Sequence, residues 1–368
     1  MWDDILFRLR AVRVAVSFEA AGAGAAPSFA GAAWRGAMGA ALRGAACTTG
    51  APTCDGCPLA ADCDYGYVFE TPVPEGARRL RMYPHAPHPF VLRVLSPTDD
   101  EGCAPEVYEE GQRTDLEIVL FGRGAESLPA MVDALARAGE RGVGPDRVPM
   151  RLLSARGTSS SGRGLSVEAG LVAEETGFWV APGAPSLAAL PEAAPLAELI
   201  AREALALRGP ADVTLNFHSP ARVVHAGALA KSLPLHVVVR SLLRRVSAIA
   251  HFHAGVDADV DFAGLIRRAT QVETVHEALS WRDQWRRSAR QEAAHALGGL
   301  VGQARYARVP RELVLLLAIG ELLHVGKGAS FGLGHYGLDV GHEAPAFVAA
   351  RSRMAPPRAA ALSFAGDA

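Results

Sequence analysis

From Phe7 to Phe18 the chain alternates, with Val12, Val14 and Val16 separated by Arg13 and Ala15, and this period of two marks a half-buried strand. Small residues follow from Ser28 towards Cys47, and Ser28 is a fitting N-cap for a helix there. The runs Pro89–Leu95 and Asp115–Phe121 are rich in β-formers. Leu128, Met131, Val132 and Leu135 give Glu126–Ala138 a helical period, and Val148–Leu153 reads as another strand. Strand, helix, strand, strand, helix, strand is the ferredoxin-like plan.

Ser154–Gly164 is polar, glycine-rich and apt for a domain boundary. The expected division is 1–160, 161–341 and a fraying tail at 342–368. In the second part Leu165–Val172 and Phe178–Ala181 suggest a hairpin, turning at Glu175–Gly177. A helix at Leu196–Leu207 and a strand at Val213–Phe217 come next. A weak internal repeat joins the halves. The helix Glu126–Ala138 leads through Gly142-Val143-Gly144 to the strand at Val148. The helix Glu312–His324 leads through Gly332-Leu333-Gly334 to one at Tyr336–Val340. The expected fold class is therefore α+β, with tandem ferredoxin-like domains.

Composition narrows the function classes. Hydrophobic residues make up 49% and charged residues 21% of the 368, which is a globular composition. The longest apolar run, Leu313–Ile319, is too short to cross a membrane. The start shows no secretory pattern, so a cytoplasmic protein is expected. Net charge is -2, against a nonspecific nucleic-acid binder, yet His218–Arg311 holds 14 Lys/Arg and only 7 Asp/Glu. Of the 37 basic residues, only Lys231 and Lys327 are lysines.

Four of the five cysteines, Cys47, Cys54, Cys57 and Cys63, fall in one short loop as C-x6-C-x2-C-x5-C. In a reducing compartment a disulfide framework is disfavoured. Four clustered thiolates suit a structural zinc, or alternatively an iron–sulfur cluster. Unconnected buried thiols are the plainer reading.

Gly326–Gly337 holds five glycines around Lys327. A G-x-G-x-x-G occurs at Gly332, Gly334 and Gly337, but it follows a helix instead of a strand, which excludes a dinucleotide fingerprint. A P-loop fails because Gly320 stands one residue too early and Gly328 replaces the magnesium-binding Ser or Thr. What remains is a loop whose amides can clamp a phosphate chain, or a tight helix-to-strand turn.

Leu323–Gly328 with Phe331–Tyr336 resembles the C-terminal glycine signature of the CRISPR-associated RAMP endoribonucleases that process precursor CRISPR RNA. Trp281–Gln291 followed by Gly298–Gly302 is similar to the block preceding that signature, and Trp34–Arg43 to the family's first helix. The resemblance spans Phe7 to Asp339. It implies tandem RAMP (RRM-like) domains, here with the Cys-rich, metal-binding loop inserted, and CRISPR repeat RNA as partner. It further implies cleavage without a catalytic cofactor. A 2′-hydroxyl attacks the adjacent phosphate, leaving a 2′,3′-cyclic phosphate and a 5′-hydroxyl. The alternative is a non-catalytic RAMP subunit holding guide RNA among the other subunits of an effector complex.

Such chemistry needs a base, an acid and a cation. Relatives often carry a catalytic His, or Tyr and His, around the first helix, and Ser28–Ala46 contains neither. His324, three residues before Lys327, is the first choice for proton transfer, with a helix C-terminal role the even alternative. Lys327 is the candidate cation. His251 and His253 rank lower. Expected RNA contacts are Gly326, Gly328, Gly332, Gly334 and His335 in the loop, with Arg282, Arg286 and Arg290 as one face of a helix beside Trp281 and Trp285. Arg35 and Arg43 join them by resemblance only. The plainer reading of the helix is tryptophans in the core and arginines in solvent, and Arg240, Arg244 and Arg245 are likewise a candidate solvated face.

Overall fold

Alternation in the first strand fixes the first layer. Strand β1 (Arg10–Ala20) turns Val12, Val14, Val16 and Phe18 to one face. Against that face pack Trp34, Met38 and Leu42 of helix α2 (Ala30–Ala46) and Met131 and Leu135 of helix α3 (Leu128–Glu140). The rings of Phe18 and Trp34 meet at 4.5 Å between centroids. The structure, a computed structural model, describes residues 2–73, 77, 85–95, 107–157, 190–257, 259–283, 285–287 and 294–341.

In the first half a short helix α1 (Asp3–Arg8) precedes β1. Then come α2 (Ala30–Ala46), β2 (Phe90–Val94), β3 (Arg113–Phe121), α3 (Leu128–Glu140) and β4 (Met150–Gly157). The second half runs β5 (Ala211–Ala221), α4 (Leu235–Ala254), α5 (Phe262–Thr270) and β6 (Thr274–Arg282). It continues with a small hairpin, β7 (Trp285–Arg287) and β8 (Ala294–Ala296), then β9 (Gly299–Val309), α6 (Arg311–Leu323) and β10 (Tyr336–Val340). The sheets order as β2-β3-β1-β4 and β6-β9-β5-β10, all antiparallel. Each therefore places its first strand between the third and fourth, which is the ferredoxin-like order twice over.

The two halves share one interior. Helix α6 touches β2 of the first sheet and β5 and β10 of the second. Covered on both sides, it buries Leu313 through Gly320 without a polar break, as a helix that is apolar all round must. Val91, Val119 and Phe121 from the first sheet join its core, together with Val213, Leu215 and Phe217 from the second. No helix among the described residues is long and apolar enough to cross a membrane.

Three expectations need correction. The first strand starts at Arg10, because Asp3 and Asp4 favour a helical first turn and Ile5 and Leu6 bury its apolar side. Ser154–Gly157 is not linker but the end of β4, paired with β1 from Ser17 to Val14. The Trp281 block is not a helix: Thr274–Arg282 pairs along β9, and tertiary pairing overrides local propensity. Residues 158–164, the hairpin at 165–181, Cys103, Arg290 and the tail at 342–368 lie outside the described residues.

Candidate functional site

The glycine loop is stitched to the end of β5. Lys327 N–H donates to the Arg222 carbonyl (3.0 Å), Gly334 N–H to that of Pro220 (3.0 Å), and Val325 N–H to that of Gly334 (2.9 Å). Gly334 adopts φ +71°, and a Cβ there would lie 1.8 Å from the Val325 carbonyl oxygen. At Gly332 a Cβ would sit 2.9 Å from the Leu92 carbonyl of β2. Both glycines are buried and let backbones approach, so they are packing positions and not the amide clamp expected of them. Gly326 and Gly328, by contrast, line a cavity.

That cavity, of about 490 Å³, opens between the halves. From the second half Gly326, Lys327, Gly328, Ser330, Phe331 and Arg245 face it, and from the first Phe69, Glu70, His85 and His88. Lys327 is exposed. Arg245 is fixed by donating from Nε to the Leu323 carbonyl (2.6 Å), and burial lowers its pKa to about 10. It is therefore a cation of this site, not of the solvated face expected with Arg240 and Arg244.

The histidines divide by what their two nitrogens already do. His88 accepts at Nε2 from Arg35 (3.2 Å), which leaves Nδ1–H to donate to Thr71 Oγ1 (3.0 Å). Burial, then the Arg35 charge, presses its pKa to about 3. His253, on α4, donates from Nε2 to the Pro87 carbonyl (2.7 Å) and accepts at Nδ1 from Tyr67 Oη–H (2.8 Å); burial lowers its pKa to about 4. His85 is exposed. It donates from Nδ1 to the Glu70 carbonyl (2.6 Å), because a carbonyl can only accept. Its Nε2 therefore keeps a lone pair. His251 pairs with Asp257 (2.8 Å) and does not line the cavity.

His324 is corrected most sharply. It is 1% exposed, has φ +61°, and donates from Nδ1 to the Leu333 carbonyl (3.1 Å). Burial, then Arg93 and Arg245, lowers its pKa to about 3. A ring sealed in this way has no path to a substrate hydroxyl, so His324 leaves the set of proton-transfer candidates. His335 is half-buried, stacked on His218 (5.2 Å) with the His324 ring tilted against it (5.1 Å), and accepts from Arg93. Desolvation, then Arg93, holds its pKa well below the ordinary value. It ties the loop to the first sheet and has no face free for stacking a base. Behind it Glu117, 3% exposed, bridges Arg93 and Arg13 at 2.7 Å each.

Arg35 is taken up in bracing the cavity wall, its guanidinium 4.5 Å from the Phe331 ring centre and 4.9 Å from that of Phe69. Arg43 donates to the Ala51 and Pro52 carbonyls and stiffens the cysteine loop. Neither presents a free phosphate-binding fork. Arg282 ends β6, half-buried beside Trp281, which is 47% exposed and donates from Nε1 to Asp283 (2.9 Å). Arg286 lies in β7, and so shares a two-stranded ribbon with β8 and not a helical face with Arg282.

Cys47, Cys54, Cys57 and Cys63 are free thiols lining one smaller cavity of about 170 Å³. The donor set has the chemistry of a soft-metal site. The spacing does not: among the described residues no three His, Cys, Asp or Glu side chains are gathered as metal ligands. Hydrogen bonding from Thr49 lowers the Cys47 pKa, while burial raises that of Cys54.

Of the residues expected from the sequence, Lys327, Gly326 and Gly328 line this cavity, and Arg245, His85 and His88, which were not expected there, line it with them. The available signal was Pro84-His85-Ala86-Pro87-His88-Pro89, two histidines in a proline-punctuated run entering a strand. Comparison with known proteins meets this geometry at two places. Residues 215–336 match the family profile of the CRISPR-associated endoribonuclease Cas6, and residues 9–176 match a profile described as an N-terminal domain. Among solved structures, a Cas6 product complex is 15% identical with a TM-score of 0.50, over 88% of this chain and 98% of that one. Thermus thermophilus Cas6 is 13% identical with a TM-score of 0.47, over 90% and 98%. No curated protein matches the sequence.

Proposed function

We propose that this chain, a Cas6-type protein of the RAMP superfamily, cuts precursor CRISPR RNA within its repeats, seating the scissile phosphate in the cavity between the halves. One observation carries the placement. The loop that bears the family signature sets Lys327 and the backbone of Gly326 and Gly328 opposite His85 and His88 across a space of nucleotide size. Lys327 and Arg245 would stabilise the charge that develops on the phosphate oxygens, where fixed cations lower the barrier most. The likeness to a solved Cas6 product complex supports RNA as the ligand here.

In our reading the reaction needs no metal. The nucleophile is the 2′-hydroxyl of the RNA itself, held next to the phosphate it attacks, so no water has to be activated. The P–O2′ bond forms as the P–O5′ bond breaks, giving a 2′,3′-cyclic phosphate and a 5′-hydroxyl. The exposed strand β6, with Trp281 and Arg282 at its end, would guide the flanking RNA. The test is cleavage of the cognate repeat RNA in EDTA, with one 2′-deoxy substitution at the cut site. Cutting should persist in EDTA and vanish with the deoxy substrate while binding is kept. Tight binding without any cutting would instead make the chain a guide-holding subunit.

The C-x6-C-x2-C-x5-C pattern is the ground for a structural zinc or iron–sulfur cluster in the loop at 47–63, and the thiols, which line one cavity without being gathered as ligands, would have to close upon it. Its contribution would be to brace the end of α2. No step of the cleavage runs through it.

A further inference from the structure

We infer that His85 is the general base of the cleavage, taking the proton of the attacking 2′-hydroxyl; this rests on the reading of the cavity as an RNA-cleaving site.

A base needs an unshared nitrogen lone pair within reach of the substrate. Of the histidines in or beside the cavity, His88, His253 and His335 already accept at a nitrogen from Arg35, Tyr67 and Arg93, and His324 is sealed in the core. His85 is exposed on the cavity wall, and among the described residues it is held by the Glu70 carbonyl. Because that carbonyl fixes the proton on Nδ1, Nε2 is the basic atom, and the tautomer is set before substrate arrives.

The surrounding segment is built to hold this ring in place. Ala86 N–H donates to the Thr71 carbonyl (2.9 Å), Pro72 and His85 form an antiparallel bridge, His253 grips the Pro87 carbonyl, and His88 is pinned from both sides. Four anchors on one short segment give the positional precision that proton transfer needs. The charged and titratable groups facing the same space are Glu70, His88, Arg245 and Lys327. Helix α2 supplies no histidine or tyrosine, so the base must come from another element.

Nε2 of His85 takes the 2′-hydroxyl proton as O2′ bonds to phosphorus. The electron pair of the P–O5′ bond leaves with O5′, which takes a proton from the Lys327 ammonium. Lys327 regains a proton from solvent, and the His85 imidazolium releases one to it.

The experiment uses the full chain and its cognate repeat RNA under single-turnover conditions, with binding read separately on the 2′-deoxy substrate. His85→Ala should slow cleavage by ~10²–10⁴-fold and leave binding within about twofold. Its rate should lose the rise with pH that deprotonation of a base gives the native protein, and added imidazole should restore part of it. If the native protein cuts the RNA and His85→Ala cuts at the same rate, the inference is overturned while the nuclease reading stands. A slowed variant that keeps the native pH profile and ignores imidazole overturns it equally, because a merely structural role would behave so. If the native protein never cuts, the nuclease reading itself is what fails.

Discussion

Glu117→Gln would test how firmly the two halves are locked behind the site. Glu117 sits on β3, directly across from Arg93 on β2, with Arg13 on β1 at its other side. Burial alone would raise its pKa, yet Arg13 and Arg93 outweigh it and lower the pKa from 4.5 to about 2. A shift of that size corresponds to stability on the order of 3 kcal/mol near neutral pH. The sign follows from the direction. The folded-state pKa is depressed, so the contribution is fully present above the unfolded value of 4.5 and is lost as pH falls towards 2. Gln keeps the shape and removes the charge, leaving two guanidiniums without a counterion, for which about 3–5 kcal/mol is typical. Urea unfolding at pH 7 should show a lower midpoint at unchanged slope, equivalent to ~3 kcal/mol, and the gap should narrow to roughly 1.5 kcal/mol at pH 3. A gap under about 1 kcal/mol at pH 7, or one that does not narrow in acid, would refute the reasoning.

Three further outcomes follow from the site. Gly334→Ala places a Cβ 1.8 Å from the Val325 carbonyl at φ +71°, and should lower the thermal midpoint well beyond the ~1 kcal/mol of an ordinary glycine replacement. Lys327→Ala should reduce the slope of log affinity against log salt by about one and slow single-turnover cleavage; an unchanged slope would return Lys327 to plain surface. Elemental analysis of anaerobically purified protein should find zinc, or iron with acid-labile sulfide, at about one site per chain, and neither being present would leave Cys47, Cys54, Cys57 and Cys63 as simple thiols.

Much of the scaffold was legible because its elements obey a local period. Val12, Val14, Val16 and Phe18 alternate, and Leu128, Met131, Val132 and Leu135 recur at helical spacing, so β1 and α3 can be read without knowing their partners. Helix α4 was not among the expected elements, although Leu235, Val238, Val239, Leu242, Leu243 and Val246 keep one face and Gly255 closes it in the left-handed conformation. Its arginines and β-branched residues weakened the local signal. The Trp281 stretch failed for the opposite reason: residues spaced like a helix face are split between β6, held by β9, and β7, paired with β8. At the site the loop was legible as chemistry and illegible as depth. Nothing local distinguishes His324, buried at the C-terminal end of α6, from His85, which is open to the cavity. Only the tertiary packing decides which of them a substrate can meet.

The same packing explains why one ferredoxin-like unit would not suffice for the proposed chemistry. His85 belongs to the first half, but the segment carrying it is gripped through Pro87 by His253 on α4 of the second. Lys327 belongs to the second half, but its loop is held through His335 by Arg93 on β2 of the first. Each half thus positions the other's reactive group, and Gly122 lies so close to α4 that a Cβ there would meet the His253 carbonyl at 2.0 Å. Separating the halves by even an ångström would move the base and the cation independently. Proton transfer and charge stabilisation both decay steeply with such displacement. A cavity assembled from two mutually clamped halves is therefore a means of holding two groups in register across a gap that neither half spans, and Glu117 is the buried charge on which one of the two clamps depends.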